Sequence, residues 1–109
     1  MKKLIATLLF VPCMASAEFM DGNGLLSRMN DSETVPRMVA LGYVQGVADV
    51  YARVKICAPQ NVTAGQARDV VKQYLELNPE RRHYSADSLV VNALAQVWPC
   101  ANNRGGTRL

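Results

Sequence analysis

Histidine is almost absent from this chain: His83 stands alone, and three cysteines are the only thiols beside it. A zinc site or a thiol-protease centre needs a second imidazole or a thiol to spare, so neither can be assembled, and no metal or cofactor is expected. Carboxylates are scattered rather than paired, and Asp49 is the only one set in an apolar-rich stretch. With no acid–base pair to name, the chain is not expected to be an enzyme. Strict alternation long enough for a sheet is missing too, which points away from a β fold. The longest apolar run, near the N-terminus, falls short of the roughly 20 residues that cross a bilayer.

What that N-terminus does contain is ordered. Met1-Lys2-Lys3 precedes the apolar stretch Leu4 to Val11, and the small triplet Ala15-Ser16-Ala17 follows. Basic, apolar and small segments in that order predict a secretory signal peptide over residues 1–17, cleaved after Ala17, with delivery to the periplasm. Cys13 offers a lipoprotein alternative, but Pro12 before it is a poor residue for that site. Removing Lys2 and Lys3 leaves ten basic residues against nine acidic ones, a nearly neutral surface that points to neither nucleic acid nor a membrane as partner. The remaining 92 residues suffice for one core and no more. Residues 18–100 are therefore expected to form a single domain, and 101–109, rich in Asn, Gly and Arg, a disordered tail.

Cys57 and Cys100 remain as an even pair in an oxidising compartment and are expected to bridge, with two free thiols as the alternative. Helical spacing fills the rest of the domain. Leu25, Leu26 and Met29 form a short first cluster after Gly22-Asn23-Gly24. Pro36 then favours a first turn, and Val39, Val44, Val47, Val50, Tyr51 and Val54 predict a long second helix from Val35 to Lys55. Thr63 with Gln66 reads as a capping box that opens a third helix, which stops before Asn78-Pro79. Ser85 is placed to cap a fourth, carrying Leu89, Val90, Ala93, Leu94 and Val97. The expected fold is all-α: a small four-helix domain closed by one disulfide.

Two features remain to be assigned. Gly42 and Gly46 stand on one face of the second helix, each costing up to about 1 kcal/mol of propensity relative to Ala. Close packing of another helix of the same chain is the expected reason, with a homodimer seam as the alternative. The loop Pro79 to Tyr84 concentrates Glu80, Arg81, Arg82, His83 and Tyr84, and Arg and Tyr are residue types that anchor interfaces. It is the candidate partner-binding segment, against the plainer reading of a solvated connector.

Several blocks taken together resemble the Rap/Tai immunity proteins, which protect bacteria from peptidoglycan amidase effectors of type VI secretion systems. They are Gly42-Tyr43-Val44-Gln45-Gly46-Val47-Ala48-Asp49, Ile56-Cys57-Ala58-Pro59, Val62-Thr63-Ala64-Gly65-Gln66, and Ser88-Leu89-Val90 through Ala93-Leu94 to Trp98-Pro99-Cys100. They stand in the family's order over about Leu25 to Cys100. The resemblance implies a periplasmic, mostly helical, often dimeric protein that binds a toxin and blocks its active site. Family members often carry further cysteines near the first two helices, where this chain has Met29, Met38 and Val39, so only the Cys57–Cys100 bridge carries over. A small periplasmic acid-stress chaperone is the rival from another class; the near balance of acids and bases gives it little to titrate.

Overall fold

The computed structural model describes residues 19–101. The expected signal peptide, Cys13 and the tail from residue 102 onward lie outside the described residues. Four α-helices follow one another: α1 over Gly22–Met29, α2 over Thr34–Tyr51, α3 over Ala64–Leu77 and α4 over Ala86–Val97, with a short 3-10 turn at Pro79–Arg81. No strand occurs among the described residues, only isolated bridges. The core gathers Leu25 of α1, Val44 of α2, Val71 and Leu75 of α3, and Leu89, Val90 and Leu94 of α4, all fully buried.

Each boundary has a local cause. Asp21 caps α1, its carboxylate accepting from the Gly24 N–H at 2.8 Å, so Gly22 to Gly24 lie inside the first turn rather than ahead of the helix. Arg37 pins the corner between α1 and α2 by donating to the carbonyls of Asp31 and Ser32 at 2.9 and 2.8 Å. The capping box of α3 is complete: Gln66 N–H donates to the Thr63 hydroxyl at 3.1 Å, and Thr63 N–H to the Gln66 side chain at 2.8 Å. Ser85 occupies the N-cap of α4 but makes no capping bond; its hydroxyl donates to that of Ser88, which donates to the Ser85 carbonyl.

α2 ends four residues sooner than its periodicity predicts. Ala52 leaves the helical region and Arg53 takes a positive φ of 65°, a conformation that most L-residues avoid. The turn is held because the Tyr51 carbonyl accepts from Val54, Lys55 and Ile56, while Arg53 N–H donates to Ile56. Ile56 drops into the core and the Cys57–Cys100 disulfide ties the turn to the end of α4. Cys57 N–H also donates to the Trp98 carbonyl at 2.8 Å.

The glycines of α2 need a correction. A Cβ on Gly42 or Gly46 would meet nothing within 4 Å among the described residues, and both positions are exposed, so none of the described helices packs there. The reason lies in how α2 sits: Ala40 and Val44 face inward, while Val39, Val50 and Val54, which the periodicity groups with the core, face solvent. Gly46→Leu is consequently expected to raise the stability of the single chain, by up to nearly 1 kcal/mol, because helix propensity improves and no neighbour is displaced. A thermal melt at low protein concentration checks the sign.

Candidate functional site

The segment after α3 folds by its own hydrogen bonds. Asn78 donates from its side chain to the Tyr74 carbonyl at 2.8 Å, finishing the helix, and Arg81 N–H donates back to Asn78 at 3.0 Å. Tyr84 N–H then reaches the Arg81 carbonyl at 3.0 Å. Pro79 to Tyr84 is thus a pair of linked turns rather than an open loop.

A second set of bonds holds it from outside. The first N–H groups of a helix lack partners within it, and α1 spends two of them here: Gly22 donates to the Tyr84 carbonyl at 3.1 Å and Asn23 to the Arg82 carbonyl at 2.9 Å. Ala86 N–H donates to Met20, and Asp21 and Ser85 form an antiparallel bridge. Residues 20 to 23 therefore run along the loop and fix its backbone. The approach requires glycine at 22: an added Cβ would lie 2.5 Å from Leu89 Cδ1 and 2.9 Å from the Arg82 carbonyl oxygen. Gly22→Ala is expected to cost roughly 1 to 3 kcal/mol by overpacking. It should also loosen the loop, read as faster amide exchange at Asn23 and Tyr84 than the change in melting temperature alone accounts for.

The side chains of the five candidate residues part company on this frame. Glu80, Arg81, His83 and Tyr84 are exposed, whereas Arg82 is half-buried with its Nε enclosed and without an acceptor. His83 and Tyr84 stack at 4.3 Å between ring centroids, tilted by 38°. Arg81 donates to the Tyr74 hydroxyl at 3.5 Å and lies 3.9 Å from the Glu80 carboxylate, an exposed pair of small energetic value. Among the described residues no hydrogen bond joins His83 to a hydroxyl or carboxylate, and no group of three His, Cys, Asp or Glu could hold a metal. The arrangement can bind; it presents no nucleophile with a base.

Beside the loop, His83 lines a concavity with Phe19, Asp21, Arg28 and Tyr43. Burial, and then the nearby Asp87 carboxylate, push the Tyr43 phenol above its ordinary pKa, so it stays neutral. The sequence gives no sign that residues 19–23 belong to this site; Gly22 alone hints at a close approach. A separate cleft of about 420 Å³ opens where α3 begins and α4 ends, walled by Ala48, Pro59, Thr63 and Trp98, with Asp49 and Arg53 its charged members.

No helix among the described residues is long and apolar enough to cross a membrane. A family model described as Rap1a immunity proteins matches residues 19–100. No curated protein matches the chain.

Proposed function

The chain belongs to the Rap1a immunity protein family, and from that premise we propose that it is exported to the periplasm, binds a peptidoglycan amidase toxin and occludes its active site with the loop Pro79 to Tyr84. Membership carries a toxin-immunity role and a toxin as partner. The loop is the surface assigned to that partner because its backbone is fixed from both sides, within the segment and by residues 20 to 23. A braced loop gives up little entropy on binding, so more of the contact energy of Tyr84 and the arginines remains as affinity.

In this reading residues 1–17 are a leader removed after Ala17, residues 18–100 are the working domain, and the remainder is a tail. Inhibition is by occlusion, so the protein supplies shape and charge and catalyses nothing. The test is to mix the purified protein with a secreted peptidoglycan amidase effector of a type VI secretion system and to follow peptidoglycan hydrolysis. A stable complex and loss of hydrolysis at equimolar protein are expected. Undiminished hydrolysis at large excess would reject the amidase, and suppression of client aggregation at acid pH instead would favour a chaperone.

A further inference from the structure

We propose that the cleft between the end of α2, the start of α3 and the end of α4 binds a small zwitterion with an apolar body, either an apolar amino acid or a short apolar peptide charged at both ends. Asp49 takes the ammonium, Arg53 takes the carboxylate, and the apolar body lies against Trp98. The site stands at the ends of α3 and α4 that face away from the loop Pro79 to Tyr84. It does not rest on the toxin reading, so either can fail without the other.

Three observations carry it, and the first is the shape and lining of the cleft. Its volume of about 420 Å³ falls within the range of roughly 300 to 1,000 Å³ found for small-molecule pockets. Ala48, Pro59, Val62 and Leu94 make its walls apolar beside the half-buried Trp98. Such walls supply burial, while a few polar groups fix the ligand's orientation.

The second observation is charge, which selects the ligand. Asp49 and Arg53 are the charged groups lining the cleft, both are exposed, and neither is in an ion pair among the described residues. One carboxylate and one guanidinium in the same cleft match one ammonium and one carboxylate on the same molecule. A ligand of single charge would satisfy one of them and leave the other unanswered.

The third is that neither residue stands where folding alone would put it. Asp49 lies in the last turn of α2, where the helix dipole disfavours an acid and no basic residue offsets it. Arg53 holds its φ of 65° in a region where Gly or Asn costs less. Hydrogen bonds to the Tyr51 carbonyl and the Cys57–Cys100 bridge keep that turn in place, so Arg53 is presented to the cleft from a fixed backbone. Strained backbone held in this way clusters at ligand clamps.

Trp98 is the only tryptophan of the chain, so its fluorescence reports on this cleft. Titrating the purified protein with L-leucine and with leucyl-leucine is expected to give a saturable change for at least one of them, and the tighter ligand names the size of the occupant. N-acetyl-leucine amide, which keeps the apolar body and carries no charge, should bind at least about tenfold more weakly. Asp49→Asn and Arg53→Asn should each weaken the zwitterion about tenfold, Asn being a residue that tolerates the positive φ at 53. Ala48→Phe, which fills the cleft, should abolish the change, with a melting curve read alongside; if that variant does not fold, the two substitutions at exposed positions decide. No saturable change with either ligand at millimolar concentration overturns the proposal. Equal affinity for the neutral amide overturns it as well, as does indifference to both Asp49→Asn and Arg53→Asn.

Discussion

Replacing Arg82 and Tyr84 together by alanine is expected to weaken toxin binding at least about a hundredfold while leaving the helices in place. Hot-spot truncations cost about 2 kcal/mol or more each, and a pair retains most of that even when the two are not additive. Tyr84 is 54% exposed and stacked on His83, so its ring is presented with little freedom left to lose. Arg82 contributes differently. Its Nε is enclosed without an acceptor, which means the guanidinium enters the complex already partly stripped of water.

The backbone should not notice either change. The bonds from Gly22 and Asn23 run to carbonyl oxygens of Tyr84 and Arg82, which alanine retains. Isothermal titration against the amidase reads the affinity, and circular dichroism with a melting curve reads the fold. Tyr84→Ala alone separates an exposed contact from any effect of emptying the space under Arg82. Wild-type affinity in the double variant would move the recognition surface elsewhere, and α3 around Arg68, Lys72 and Glu76 would be examined next.

The second large effect is expected from the disulfide. Replacing both Cys57 and Cys100 by serine should cost roughly 4 kcal/mol, because the bridge closes a loop whose ends are 43 residues apart in the chain. A domain of this size has only about 5 to 15 kcal/mol in all, so the melting temperature should fall by roughly 15 to 30 °C. Local contacts cushion part of the loss: Ile56 stays in the core, and Cys57 N–H and Trp98 hold the two segments together without sulfur. A fall of less than about 1 kcal/mol in chemical denaturation would mean that these contacts, not the cross-link, secure the end of α4.

The sequence discloses this fold unevenly, and the pattern follows from where the causes lie. Thr63 and Gln66 announce α3 because a capping box is made by two side chains of fixed chemistry three residues apart. The end of α2 is silent, since Ala52 and Arg53 are not breakers and the turn is imposed by Ile56 and the bridge beyond it. The glycines of α2 read in the sequence as a close contact with another helix, and none of the described helices makes it, because propensity carries no address. The loop Pro79 to Tyr84 stands out by composition, but what holds it is backbone bonding to residues 20 to 23, and main-chain donors leave no trace in the choice of side chain.

That bonding between the start of the domain and the loop before its last helix also sets an order of events. Contacts between segments far apart in the chain form late, after the entropy of closing the intervening loop has been met. Residues 20 to 23 emerge well before the loop in any N-to-C process, translation or translocation, and have nothing to hold until Arg82 and Tyr84 arrive. A fragment stopping at Leu77 can collapse three helices around Leu25 and Val71 and still offer no binding loop. Recognition is then gained only by the completed domain, and a bulky extension fused just ahead of Phe19 should slow that last step more than one placed after Ala101.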